Sequence, residues 1–192
     1  LRRLKKAERQ YAKDVKAKRI SIWYAFADQV ARRPNQRCIW TREKEYTYQE
    51  IHDRVIQYAR WLLSEGIEPN DLVAFYLLNS VHFMIVWLAT TCIGAGPAFI
   101  NYNLEGKALL HCTDVCQSKL IVVEDEENFK SRIAASRTDL ENRGTKVVIL
   151  DQTLKNQIET SPVELVPDSY RENMEGGFPS CLIYTRYAQL SF

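Results

Sequence analysis

A chain of 192 residues, 46% hydrophobic and 26% charged, has the composition of an ordinary globular domain; this excludes collagen, low-complexity disorder and a disulfide-dense miniprotein. At this length roughly two-thirds of the unfolded surface can be buried, so a core needs neither metal nor disulfide staples. The net charge of +2 hides an asymmetry: Arg2, Arg3, Lys5, Lys6, Arg9, Lys13, Lys16, Lys18 and Arg19 face only Glu8 and Asp14 in the first 20 residues, while the remainder carries 17 basic and 22 acidic side chains.

The leader, residues 1–20, places Leu1, Leu4, Tyr11 and Val15 near one helical face with basic residues over the rest. Its two readings are a membrane-surface helix, drawn to anionic lipid by its nine cations, and a solvated or frayed helix. Nucleic-acid binding would have to rest on this leader alone, and none is expected. The first residue is Leu and no apolar signal core follows, so a missing beginning is expected. Ser21 then caps a helix carrying Ile22, Trp23, Phe26 and Val30, which ends at Pro34. A short strand, Arg37 to Thr41, and a charged turn, Arg42 to Glu45, lead to Thr47. With Glu50 three residues on, Thr47 predicts a capping box at the head of a helix that Gly66 and Pro69 stop.

From Leu72 the pattern alternates. The expected elements are a strand Leu72 to Leu77, a helix Ser80 to Cys92, a strand Ala98 to Asn101, a helix Glu105 to Cys116, a strand Lys119 to Val123, a helix from about Glu126 to Leu140 and a strand Lys146 to Leu150. A loop rich in Pro, Asn, Asp and Glu follows, and a strand Ser180 to Thr185 closes the series. Continuous apolar strands separated by helices predict an α/β fold, a mostly parallel sheet with helices on both faces. The segment Val81 to Ile100 approaches membrane-span length, but Gly94, Gly96 and Pro97 predict helix, turn and strand instead.

Most chemistry-bearing residues have bland readings. Five cysteines, an odd number and partly in apolar runs, suit reduced thiols. His111, Cys112 and Cys116 lack the second ligand pair that zinc would need, so no metal site is expected and a core helix is preferred. His52 has no nucleophile to serve. Gly94 and Gly96 lack the third glycine and the following helix of a dinucleotide fingerprint, and Gly176 and Gly177 read as a loop end.

Three longer stretches go further: IWYAFADQVARRPNQRCIW, YTYQEIHDRVIQYARWLLSEGIEPNDLVAFYLLNS and WLATTCIGAGPAFINYNLEGKALLHC. In order and spacing they resemble the N-terminal part of the AMP-forming adenylating enzymes, specifically the fatty-acid transport proteins and very-long-chain fatty-acyl-CoA synthetases. The resemblance covers residues 21 to 185 and implies a partial AMP-binding domain. It also implies a family chemistry in which a fatty acid and ATP give an acyl-adenylate, and the acyl group then passes to coenzyme A, with magnesium. The family's phosphate-gripping loop reads approximately YTSGTTGLPK. Here Tyr184 and Thr185 match its first two positions and stand as the candidate nucleotide-binding residues; residues 186–192, RYAQLSF, then replace the loop with no Gly and no Lys.

The expectation is a truncated family sequence with a few unrelated residues appended, carrying no catalytic residue and no cofactor of its own and inactive by itself. The alternatives are a non-catalytic, membrane-associated module that docks on a full-length homologue, and a gene-model product without its own role. The resemblance implies a cytosol-facing membrane location: endoplasmic reticulum, peroxisome, lipid droplet or plasma membrane.

Overall fold

The computed structural model describes residues 2–172 and 181–184. In chain order the elements are α1 (Arg2–Lys16), α2 (Ile22–Arg32), β1 (Arg37–Trp40), β2 (Glu45–Thr47), α3 (Tyr48–Ser64), β3 (Leu72–Tyr76), α4 (Val81–Cys92), β4 (Gly96–Phe99), α5 (Gly106–Cys116), β5 (Leu120–Glu124), α6 (Glu127–Asn142), β6 (Lys146–Leu150), α7 (Gln152–Glu159) and β7 (Leu182–Ile183). β1 and β2 form an antiparallel hairpin apart from the main sheet, whose five strands run parallel in the order β6-β5-β3-β4-β7.

Strict two-residue alternation explains why the strands are apolar throughout. Val73, Phe75 and Leu77 join Leu120, Val122 and Leu150 on one face, under α2, α3, α4 and α7. Ala74 and Tyr76 join Ile121, Val123 and Val147 on the other, under α5 and α6. Both faces are therefore dry, and neither has room for the polar half of an amphipathic strand.

Local chemistry fixes several boundaries as expected. Ser21 accepts from the Trp23 amide at 3.3 Å. Thr47 accepts from Glu50 N–H at 3.2 Å while the Glu50 carboxylate takes the Thr47 N–H at 2.7 Å, a complete capping box. Gly66, at φ +84°, lets Ile67 N–H return to the Leu62 carbonyl and closes α3 with a Schellman turn.

Three expectations need correction. β4 begins at Gly96, not Ala98, because Gly96 N–H already donates to Asp71 O at 2.9 Å. Pro97 is tolerated there: with the amides of Gly96 and Ile100 aimed at β3, alternation turns its missing N–H toward β7, whose pairing starts only at Ala98. The charged segment from Arg42 turns the chain as expected, but Glu45 already belongs to an unexpected strand, β2, which pairs back on β1 as a hairpin. The region after Leu150, read as loop, begins with α7. Asp151 caps it through Leu154 N–H at 2.7 Å, and its stability comes from burying Ile158 against α3 rather than from its polar, eight-residue composition.

After α7 an extended strap crosses α3 and returns to the α4–β4 corner. Arg60 donates to the carbonyls of Glu164 and Leu165 at 2.9 and 3.0 Å. Arg171, 3% exposed, donates to the carbonyls of Cys92 and Val166 and to the Asp168 carboxylate, with Trp23 and Tyr24 beside its guanidinium. Gly94, at φ +74°, passes directly beneath the Tyr170 carbonyl. No described helix is long and apolar enough to cross a membrane; the segment at Val81 to Ile100 is α4, a turn and β4, as expected.

Candidate functional site

In a doubly covered parallel sheet, ligands bind beyond the carboxyl ends of the strands, where adjacent connections leave for opposite faces. β3 feeds α4 on one face and β4 feeds α5 on the other, so the crevice lies between the segments 77–80 and 100–105. β7 runs beside β4 and brings Tyr184 to the same end.

The walls of this crevice are held by hydrogen bonds that leave little free. Buried Tyr76 donates to the Leu104 carbonyl at 2.7 Å, and burial pushes its phenol above the ordinary value. Asn101 Oδ1 accepts from Asn103 N–H at 3.0 Å, an Asx turn that folds the loop after β4. Arg132, from α6, donates to Tyr102 O at 2.6 Å. Glu124, at the end of β5, accepts from Leu78 N–H at 3.2 Å and lies 4.0 Å from Lys155 Nζ.

Tyr184 turns toward α5 and donates its hydroxyl to the Cys112 carbonyl at 2.6 Å. Burial, then the neighbouring Cys116 thiol, hold its phenol well above the usual range. Its side chain is thus occupied in anchoring the strand end. Thr185, the other residue expected to meet a nucleotide, lies outside the described residues, as do Gly176, Gly177 and residues 186–192.

Among the described residues, the end of β5 is unfavourable to a polyphosphate. Glu124, Asp125, Glu126 and Glu127 follow one another at the end of β5, and the nearby cations are committed to them, Lys130 to Asp125 at 3.0 Å and Lys155 to Glu124. A polyphosphate there would meet carboxylates where it needs amides and cations. Among the described residues no group of His, Cys, Asp and Glu converges to hold a metal.

The remaining candidates resolve individually. Cys112 and Cys116 are buried and His111 is exposed, so the three do not converge. His52 stacks on Trp23 with ring centroids 5.7 Å apart and contacts Asp53 at 3.2 Å. The sequence reading missed a polar cluster around Glu159: His82 Nε2 at 3.0 Å, Arg54 at 3.3 Å and the Tyr58 hydroxyl at 3.3 Å. Burial works to raise the Glu159 carboxyl, but the His82 hydrogen bond and the Arg54 charge outweigh it and leave it below its ordinary value. Nothing local signals this cluster, because Glu159 sits on the unexpected α7. It ties α7 to α3 and α4.

Comparison with known proteins decides the family. The AMP-binding enzyme family matches residues 26–185. The chain belongs to this family. This AMP-binding chain is 34% identical over 137 residues to isopenicillin N epimerase component 1 of Hapsidospora chrysogena, covering 69% of the chain and 22% of that protein. It is 29% identical over 172 residues to a very long-chain fatty acid transport protein of Cochliobolus heterostrophus, covering 89% and 26%. Among solved structures, the N-terminal domain of FACL13 from Mycobacterium tuberculosis superposes with a TM-score of 0.76 at 18% identity, covering 87% of the chain and 42% of that structure. A fatty acyl CoA synthetase from the same organism gives 0.74 at 18%, covering 87% and 33%. The α/β fold is therefore that of the N-terminal domain of acyl-CoA ligases, and the chain spans about a quarter of the length of the curated relatives it matches.

Proposed function

We propose that this chain is the N-terminal part of an ATP-dependent long-chain or very-long-chain fatty acid–CoA ligase serving fatty acid activation and uptake, and that the 192-residue polypeptide does not turn over by itself. The observation that carries the second half is the replacement after Tyr184 and Thr185, where RYAQLSF offers no Gly and no Lys to a polyphosphate; the acidic end of β5 points the same way. The intact family would supply ATP, magnesium and coenzyme A chemistry that these residues do not. Pyrophosphate release with oleate or a very-long-chain acid, ATP and magnesium should not exceed a no-protein blank; clear turnover would overturn the reading.

On the same reading the intact protein works at a cytosol-facing membrane, of endoplasmic reticulum, peroxisome, lipid droplet or plasma membrane. Its similarity to fatty acid transport proteins supports this, and so does the basic leader, Arg2 to Arg19, which suits an anionic surface. A second reading is a non-catalytic module docking on a full-length homologue. It is favoured by the outer edge of β7, which pairs with no further strand among the described residues and where Ile183, 64% exposed, pairs with Phe99. Co-purification with an intact ligase tests it. Failure to find peptides ending in RYAQLSF would leave the third reading, a product without a role of its own.

A further inference from the structure

The leader is described only in part by its charge. From Leu4 to Lys16, α1 is solvent-exposed at every residue but Asp14, so the described residues leave most of its apolar side open. At 3.6 residues per turn, Leu4, Tyr11 and Val15 fall within an arc of about 40°. These three side chains are 67%, 61% and 46% exposed. A turn follows, in which Lys18 takes a left-handed φ of +55° and Arg19 N–H returns to the Asp14 carbonyl at 2.7 Å. Beyond the turn, residues of α1 and α2 line a common cleft. A cleft of about 410 Å³ lies between the two helices, and Tyr11 and Ile22 both stand on its walls. Arg19 fixes this arrangement by pairing with Asp28 at 2.7 Å and lying over the Tyr24 ring at 4.3 Å.

Ile22 is itself exposed although it opens a helix whose Trp23, Tyr24 and Val30 are buried. It therefore extends the apolar strip of α1 onto an element packed into the core. Lys5, Lys6, Arg9, Lys13 and Lys16 cover the rest of α1 and are all exposed. An apolar strip backed by cations on a helix too short and polar to span is the arrangement that lies in the headgroup plane of an anionic bilayer.

We infer that α1 and the first turn of α2 form one insertion surface for an anionic lipid bilayer, in which Leu4, Tyr11, Val15 and Ile22 enter the acyl boundary. The inference rests on the membrane reading above and deepens it: the contact is not electrostatic alone, and because Ile22 belongs to a core-packed helix, the whole α/β body is held at the surface rather than trailing from a basic tail. Charge complementarity selects the occupant, since a second copy would bring like-charged helices together.

The test is sedimentation of the full chain with phosphatidylcholine vesicles, with and without about 30% phosphatidylserine, at low and high salt. Binding should require phosphatidylserine and fall steeply at high salt. A variant with Leu4→Ser, Tyr11→Ser, Val15→Ser and Ile22→Ser keeps every charge and should lose about tenfold or more in partitioning. Ile22→Ser alone should lose a measurable part of it. These side chains are exposed, so thermal melting should stay unchanged and report that the body is folded. If the fourfold variant binds like the parent, the insertion surface is overturned while the membrane reading stands. If the parent sediments equally with pure phosphatidylcholine, the anionic selectivity is overturned. If it binds no vesicle, both fall. A dimer dissolved by the Ser substitutions, without vesicle binding, would assign the strip to a second copy instead.

Discussion

Replacing Gly94 by Ala separates two costs that are usually confounded. Gly94 has φ +74°, a conformation that costs an L-residue about 1–2 kcal/mol. In addition, an added Cβ would sit far inside van der Waals contact with the Tyr170 carbonyl oxygen, 3.3 Å from the Tyr170 carbonyl carbon and 3.5 Å from Pro69 Cβ. Backbone must therefore move, and the strap that moves is the one held by buried Arg171. Displacing it weakens charge-assisted hydrogen bonds to the Cys92 and Val166 carbonyls, each worth about 1.5–3 kcal/mol. The sum of strain and partial strap loss is about 3–5 kcal/mol. Gly66→Ala is the internal control: its φ is +84°, yet nothing lies within 4 Å of the added Cβ, so it carries the conformational cost alone, about 1–2 kcal/mol. Urea unfolding followed by tryptophan fluorescence should show the Gly94→Ala midpoint well below that of Gly66→Ala at unchanged slope. Equal midpoints for the two variants would refute the proposed lock between the strap and the α4–β4 corner.

Three further outcomes are expected. Glu159 has its folded-state pKa depressed, so its contribution is present above the unfolded value near 4.5 and is lost as pH falls through the lower folded value. Glu159→Gln should cost about 1–3 kcal/mol at neutral pH and flatten that acid limb in urea titrations at several pH values. Tyr184→Phe removes the hydroxyl donated to Cys112 and should lower stability by about 1 kcal/mol, read as a melting shift of about 2–4 °C. Burial, partly opposed by Arg171, pushes the Cys92 thiol up to about 12. Iodoacetamide at pH 8 should therefore spare Cys92 in the native chain and modify it in urea, as read by peptide mass spectrometry.

Much of this architecture was legible because its causes are local. The Thr47 and Glu50 pair needs only three residues of chain to make its box, and Gly66 needs only its own φ to end α3. The unbroken apolar runs of β3 and β5 required cover on both faces, which in turn required parallel strands with helical crossovers. The family resemblance rested on the same near-neighbour order. Local legibility did not extend to α7, whose short polar sequence says loop until Ile158 meets α3, nor to the start of β4, where Pro97 argues against a strand until its missing N–H is turned to the side of β7, whose pairing starts only at Ala98.

The candidate site divides in the same way. The departure of residues 186–192 from the family's phosphate-loop pattern can be read directly from the residue types. The engagement of Tyr184 by Cys112 cannot, since the two are 72 positions apart and meet only because β7 is laid beside β4 under α5. The strap over Gly94 and the Glu159 cluster likewise join distant segments. Periodicity, caps and turns act within about one helical turn of chain and so are determined by the residues themselves. Which carbonyl a buried Arg171 or Tyr184 finds depends on how whole elements pack, and that was decided only by the tertiary structure.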